Sequence, residues 1–439
     1  MALKRANRIL IGAGCCVLLL ISWVITINSK SDAEKQLELM HQAAELISDG
    51  IYISAVPLLE EAAGYNAAHT LAAEAELKRV YLALIDKRGF SRKYTGLLEK
   101  QMHRRDAHAD AFAEAANYYI GISRVQDALA VLKAGIGKTG SYELTRIYEN
   151  NRYAYEISRT SYDFVSSING STVQVQKDGL WGVARADGTA LIPCEYERVS
   201  TFSIDRAIVE KDGEIYAVDK DNNRVAVLRE NAAGFGNLAE NRIPLLIGGS
   251  WHRATGDFVL GTAGFEQLGT YSFGYTAAKS DGKWGVIDLS TGWLVPAEYD
   301  GIIQDELGRC YAQGAVFCRK GGAVYLLAGR QWIGQPYEDA RPFSSEGYAA
   351  VKRNEKWGFI DKNGNEIIDF IFDDALSFGQ HLAAVKQGDF WGYVGRSGTI
   401  VIEPVFLEAK SFSNGSAPVL TQRGWQFITL LEYKKGVSL

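Results

Sequence analysis

Three hydrophobic patterns follow one another along the chain. From Ile9 to Ile27, nineteen residues pass without a charge. About 20 apolar residues span the hydrocarbon core of a bilayer as a helix. The pattern therefore predicts a transmembrane helix over 9–28, behind a short tail of residues 1–8. From Ser31 to about Ser158 the sequence is rich in Ala, Leu and Glu and nearly free of Pro, which predicts helices. From Gly170 onward the apolar residues come in short β-branched or aromatic runs. Turn dipeptides separate them: Asp178-Gly179, Asp187-Gly188, Asp212-Gly213, Asp281-Gly282, Asn363-Gly364 and Asn414-Gly415. Such pairs supply the positive φ of tight hairpins, so this part reads as short antiparallel strands. The fold class is α+β multidomain, with helices over 31–158 and an all-β domain over 165–439.

The β part repeats itself. Ala349-Ala350-Val351-Lys352 returns as Ala383-Ala384-Val385-Lys386, Trp357-Gly358 as Trp391-Gly392, and Phe378 as Phe412, an offset of 34 residues each time. A fixed period of this size marks a repeat architecture. Trp181-Gly182, Trp284-Gly285, Trp357-Gly358, Trp391-Gly392 and Trp425 mark the units, and Tyr216, Trp251 and Tyr325 fill the remaining marks, giving eight. An aromatic stands fifteen residues after the mark at Tyr196, Tyr299, Phe372 and Phe406, and Phe stands twenty-one after it at Phe202, Phe378 and Phe412. The Trp and Phe read as an interlocking core between neighbouring units. The Gly after Trp reads as the place where another backbone or ring comes close. Each unit reads as three short strands, and eight of them as a β-propeller-like ring. The truncated last unit would be completed by an N-terminal strand near Val173 to Gln176. An open β-solenoid with protected ends is the alternative.

On these motifs the β part resembles the WG-repeat family of bacterial proteins. That resemblance implies a repeat scaffold, often joined to membrane anchors or helical modules, and no established reaction. Within the helical part, Gly50-Ile51-Tyr52-Ile53-Ser54-Ala55 followed by Leu58-Leu59-Glu60-Glu61-Ala62 resembles the second half of a tetratricopeptide repeat. Further units run from Gly89-Phe90 to Glu99 and from Gly121 to Leu132. Pro57 is expected in the first turn of its helix, where a missing N–H costs little. The resemblance implies a groove for a peptide or partner helix; a helical stalk is the plainer reading.

Charge refines this picture. Net charge is −5, and Lys4, Arg5 and Arg8 precede the first apolar run, leaving a body of −8. A mildly acidic body excludes a nucleic-acid footprint, which is basic and clustered. The positive-inside bias places the short tail in the cytoplasm and the rest of the chain outside it, as a signal-anchor in the cell membrane. A cleaved signal peptide is the rival, with its shorter apolar core and small-residue exit. The expected partners are the membrane, through one helix, and a protein or cell-wall polymer.

Candidate chemistry is sparse. Carboxylates recur at Glu197, Asp300, Asp373-Asp374 and Glu408. A pair of them suits a glycosidase, but recurrence in every unit is the mark of a turn-capping residue, whereas catalytic groups are unique. His252 with Asp257 and Glu266 is the one unrepeated polar set. Asp219 to Glu230 echoes a calcium loop, yet Arg224 replaces the Gly that the sharp turn requires. No cofactor or metal is expected, and the chain is expected to be non-catalytic. Cys310 and Cys318 flank a Gly-containing turn, and read equally well as a disulfide in an oxidising space or as two free thiols.

Overall fold

A computed structural model describes residues 31–433 except Arg330. The predicted helix over 9–28 lies outside the described residues. Among those described, no helix is long and apolar enough to cross a membrane. The chain divides into two units, one up to Tyr148 and one from Glu149 onward.

Among the described residues the first unit has seven helices: α1 (Asp32–Ser48), α2 (Tyr52–Gly64), α3 (Thr70–Ala83), α4 (Phe90–Met102), α5 (Ala109–Gly121), α6 (Val125–Thr139) and α7 (Tyr142–Asn151). Ser31 starts α1 with a capping box: its side chain takes the Glu34 N–H while the Glu34 carboxylate takes the Ser31 N–H. Gly50 turns α1 into α2 at φ +77°, and Gly89 turns α3 into α4 at φ +91°. At the third turn Ser123, not Gly121, takes the left-handed position, at φ +60°. The helices pack on small buried residues, Ala43, Ala55, Ala62, Ala73 and Ala115. Pro57 is not in the first turn. The helix starts at Tyr52, so the proline ring sits one turn further in and leaves the Ile53 carbonyl without its usual donor. Both residues are exposed, and water can serve that carbonyl.

Helix ends at Asn151, short of the expected 158, because Tyr155–Ile157 is a strand of the second unit. That unit is eight four-stranded antiparallel sheets in a closed ring, with no open solenoid ends. Blades one to seven each consist of consecutive strands. Blade one runs Phe164–Val165, Thr172–Lys177, Leu180–Arg185 and Ala190–Tyr196, and blade seven Asp374–Ala375, Leu382–Gln387, Phe390–Gly395 and Ile400–Phe406. The three-stranded expectation missed the short strand that opens each blade, two residues long in every blade but the third, where it has four. It is too short to show a hydrophobic pattern, and it lines the centre of the ring. Closure comes from the N-terminal side, as expected, but through a different strand. Tyr155–Ile157 pairs with Gly424–Leu430 as the outer strand of blade eight, and Val173 to Gln176 lies inside blade one.

Candidate functional site: the ring channel and its two faces

The Trp-Gly mark follows from the sheet register. In blade seven one row of residues crosses the sheet: Asp374, Lys386, Trp391 and Phe406. Blade one repeats it as Phe164, Gln176, Trp181 and Tyr196. The aromatic fifteen residues on is thus the cross-strand partner of the Trp. Trp357 and Trp391 are buried against the next blade, beside Ala375 with Phe378 and Ala409 with Phe412 respectively. Opposite each Gly the outer strand bulges, and three residues stand against one. A Cβ would lie 2.5 Å from the Ile402 carbonyl oxygen at Gly392, 2.6 Å from that of Ile192 at Gly182 and 2.8 Å from that of Ile368 at Gly358. Gly285 meets the Val295 carbonyl in the same way. No side chain fits under that bulge.

Two of the inferred marks move by one residue. In blade two Ile215, not Tyr216, holds the Trp position, and in blade five Val324, not Tyr325, does. Tyr216, Tyr325 and His252 occupy the Gly position. In blades two and three the outer strand runs past that position without a bulge, Tyr216 opposite Val227 and His252 opposite Gly264. In blade five the bulge remains and is relieved by Gly334, at φ +67°.

The channel is filled at its centre by an insertion in blade five. The link from the first strand to the second is twelve residues there, 303–314, against six or seven in the other blades. Asp305 folds this link: its carboxylate accepts from the N–H groups of Leu307 (3.0 Å) and Arg309 (2.9 Å) and from the Arg309 guanidinium (2.7 Å). The folded loop then reaches four other blades. The Leu307 carbonyl accepts from Thr270 Oγ1 (2.5 Å) and Asn237 Nδ2 (3.1 Å). Glu306 accepts from Ser167 Oγ and Lys410 Nζ, both at 2.9 Å. Cavities of about 610 and 340 Å³ border the loop. The larger is lined by Arg309, Arg341, Phe343, Asp374, Glu408 and Lys410 among others.

Charges in the channel neutralise one another. Arg341 pairs with Asp374 at 3.2 Å and lies 4.4 Å over the Trp357 ring. Lys410 pairs with Glu306 and Glu408 and lies 5.1 Å over Trp425. These cations are the first residue of the same link in blades six and eight, a recurrence that sequence reading passed over. The long spacing between Trp284 and Trp357, 73 residues for two units, is the trace of this insertion in the sequence. The register places the extra residues at Gln304 to Arg309.

The recurring carboxylates are turn caps on one face. Asp163, Glu197, Glu266, Asp300 and Asp373 each accept from the backbone of the hairpin between the second and third strands of their blade: from Asp178, Asp212, Gly282, Gly321 and Gly388. Lys177, Lys283 and Lys356 also donate to Asp163, Asp300 and Asp373, and these bonds, with the backbone ones, hold the three carboxyls below the usual range. Asp374 and Glu408 differ, and are the channel residues above. Asp219 accepts from the N–H groups of Asp221 and Asn223, as a turn cap does. His252, Asp257 and Glu266 are not brought together: Asp257 pairs with Arg206 of blade two, and Glu266 caps Gly282. Cys310 and Cys318 lie in one buried cluster as free thiols.

The opposite face is stitched tip to tip. The Gly274 N–H donates to Glu240 Oε2 (2.9 Å), the His381 N–H to Glu346 Oε1 (2.6 Å), and the Gly415 N–H to Gln380 Oε1. Burial pushes the Glu346 carboxyl up, but His381 and Arg396 outweigh it and hold the group below its ordinary value. At the equivalent tip position blades two and four carry Ile204 (φ +60°) and Phe273 (φ +53°), 77% and 58% exposed. The left-handed region costs a residue with a Cβ roughly 1–2 kcal/mol, and a β-branched residue there is an outlier.

The second unit is thus an eight-bladed β-propeller in which blades one, four, six and seven carry the Trp-Gly pair. The profile of the WG containing repeat matches residues 181–214, 337–357, 357–389 and 391–424. The chain therefore carries WG-containing repeats. No curated protein matches it significantly. Among solved structures, a eukaryotic initiation factor is 12% identical, with 64% of this chain and 88% of that chain covered and a TM-score of 0.39. The β-propeller domain of Cps50 (Swd1) from Myceliophteria thermophila is 8% identical, covering 63% of this chain and 99% of that one, at a TM-score of 0.32. The Pan2 WD40 domain of Neurospora crassa is 9% identical, covering 61% and 88%, at a TM-score of 0.32. Scores this low carry no argument about function.

Proposed function

We propose that this chain is a non-catalytic binding scaffold of a bacterial cell envelope, held by its N-terminal apolar segment with the helical and β units outside the cytoplasm. The observation that carries the reading is the channel. Its carboxylates Asp305, Glu306, Asp374 and Glu408 are each held by a cation or by the insertion's own backbone. They serve to build the ring, and the two faces and the outer rim are what a partner meets. The helical unit supports the same role: three helical hairpins with Gly50 and Gly89 at their turns have the layout of tetratricopeptide-like repeats, which offer a groove to a peptide or helix. The partner is a protein or a cell-wall polymer. A glycan-acting enzyme would instead use the channel carboxylates.

The test uses full-length protein in intact cells. Added protease is expected to digest the helical and β units while residues before the apolar run stay protected. Deleting residues 9–28 is expected to release the protein from the membrane fraction. Protection of the β unit in intact cells overturns the location. A glycan-cleaving activity that is lost in Glu306→Gln or Asp374→Asn, with the ring still folded, overturns the scaffold reading.

A further inference from the structure

The seam between blades three and four holds two arginines that no carboxylate meets. Arg253 stands two residues after Trp251, opposite Pro244, and Arg242 stands opposite Thr255. Alternate residues of a strand share a face, so both arginines lie on the Trp251 face of blade three. That face packs on blade four, where Trp251 meets Leu268, Ala278 and Ile287. In the other seven blades the residue two after the mark is apolar or aromatic and buried, as Val183, Val286 and Phe359 are.

Charge in this seam is not balanced locally. One seam earlier, Arg206 holds the place of Arg242 and is met by Asp205 and Asp257. Arg242 has no such partner: among the described residues its side chain donates to the Asn241 carbonyl at 2.9 Å and makes no ion pair. The Arg253 guanidinium makes no ion pair among them either. Blade four meets the two arginines with Thr276, Ala278 and Ile287, which carry no charge. The carboxylates at the neighbouring tips are committed elsewhere. Glu240 accepts from the Gly274 N–H, Asp257 pairs with Arg206, and Asp288 accepts from the Ser290 and Gly292 N–H groups. Both arginines are half-buried, and a cation withdrawn from water without a counter-charge is costly. The Arg253 guanidinium lies beside Gly261, which has no side chain to cover that flank of it.

Tyr271 is an independent sign. It takes the wedge place that Phe378 and Phe412 take in blades seven and eight, and adds a hydroxyl there. The residue is 1% exposed, and its hydroxyl has no hydrogen-bond partner. Burial pushes the hydroxyl pKa up, and the Arg253 and Arg242 guanidiniums pull it back, which puts the three groups beside one another. A buried polar group left unpaired is costly until a ligand or water completes it.

We infer that Arg242, Arg253 and Tyr271 form a binding site for a phosphate group in the seam between blades three and four. A phosphate monoester carries a charge of about −1.5 to −2 at pH 7 and three acceptor oxygens. Two cations and one hydroxyl, brought from three separate segments, match that charge and that number of acceptors. Guanidinium suits the task, being always charged and presenting its donors as a fork. The site stands whether or not the scaffold reading does.

The test is phosphorus NMR of inorganic phosphate and of glycerol 3-phosphate, each titrated with the purified full-length protein at constant ionic strength. At least one is expected to shift and broaden, with sulfate competing and chloride not. Binding of the ester alone assigns the site to a phosphorylated ligand, and equal binding of both assigns it to the phosphate group by itself. Arg253→Met is expected to weaken binding about tenfold or more, as loss of a hydrogen bond to a charged group does. Tyr271→Phe restores the ring of the other wedges. It is expected to fold, to melt no lower than the parent in chloride, and to weaken phosphate binding severalfold. A hydroxyl with a purely structural role would leave phosphate binding where it was. Lys220→Met, at an exposed cation of a blade-two hairpin, is expected to change nothing. Absence of binding of both phosphates at tens of millimolar, or binding unchanged in either Arg253→Met or Tyr271→Phe, overturns the site.

Discussion

Tyr162 and Trp425, 263 residues apart in sequence, close the ring as a mutual backbone pair: the Tyr162 N–H donates to the Trp425 carbonyl at 2.9 Å and the Trp425 N–H to the Tyr162 carbonyl at 3.0 Å. Every other Trp mark finds its aromatic partner within its own blade, as Trp391 finds Phe406. Trp425 borrows its partner from the chain ahead of blade one. The Tyr162 ring is buried against Phe427, and its hydroxyl donates to the Gly188 carbonyl at 3.0 Å, so one residue ties blade eight to blade one. Truncating a buried aromatic costs about 3–5 kcal/mol. Tyr162→Ala is expected to destabilise the β unit by that order in denaturant unfolding. Ile157→Ala, at an exposed residue of the same closing segment, is expected to cost under about 0.5 kcal/mol. Equal effects of the two would place the closure elsewhere.

The Trp-Gly glycine gives the second prediction. Gly392→Ala places a methyl 2.5 Å from a backbone carbonyl, and forcing the outer strand back is expected to cost about 1–3 kcal/mol. Gly301→Ala, whose Cβ would sit 3.6 Å from an arginine side chain, is expected to be tolerated. Thermal melts of the two variants check the contrast.

Much of this architecture was legible because the repeat imposes the same physical demand eight times. The aromatic fifteen residues after each Trp is a cross-strand partner, and the twenty-first-residue Phe is a wedge between blades, so both leave a fixed spacing. Glu197, Asp300 and Asp373 recur because a hairpin needs a cap in most blades, whereas Asp374 and Glu408, grouped with them in the sequence, pair with cations in the channel. What stayed hidden was either too short or too singular. A two-residue strand has no hydrophobic period to detect. The closing strand Tyr155–Ile157 follows helix α7 within a few residues and pairs with the far end of the chain, so no local pattern marks it. At Ile215 and Val324 an aliphatic residue replaced the Trp, and the neighbouring Tyr216 and Tyr325 drew the alignment one residue off. The strain at Ile204 was invisible, since a β-branched residue gives no sign of a positive φ.

The insertion in blade five is held by groups contributed from elsewhere, and removing one should be felt. Thr270 Oγ1 donates to the Leu307 carbonyl inside the ring. Thr270→Val keeps the shape and deletes the donor, which is expected to cost about 1 kcal/mol. Glu306→Gln and Lys410→Met are expected to be non-additive, because the two side chains meet at 2.9 Å. A double-mutant cycle should give a coupling of about 0.5–3 kcal/mol, and a coupling near zero would mean the ion pair does not hold the loop.

Cys310 and Cys318 share one buried cluster as free thiols. Burial pushes the Cys310 thiol well up and that of Cys318 up to about 12. The thiolate is the reactive form, so both are expected to resist alkylation in the folded protein at neutral pH. In denaturant without reductant both should be alkylated. Mass spectrometry of the peptides reads this directly, and a linked pair would be left unmodified.

Acid should loosen the ring at carboxylates whose protonation the fold opposes. Asp163, Asp300 and Asp373 are held down by lysines and hairpin N–H groups, and Glu346 by His381 and Arg396 against its burial. A carboxyl whose folded pKa lies below its unfolded value binds protons more readily when unfolded. Stability therefore rises with pH through that window, is fully present above the unfolded values of about 3.9 for Asp and 4.3 for Glu, and is lost as pH falls through the lower folded values. The melting temperature of the β unit is expected to be flat with respect to these groups above about pH 5 and to fall below about pH 4. Glu346→Gln removes the one that joins the tips of blades six and seven, so this variant should melt lower than the parent at pH 7. The gap should narrow as the pH drops below about 4, where the parent's own carboxylate is being neutralised. A gap that stays constant from pH 7 to 3 would show that Glu346 acts through packing and not through its charge.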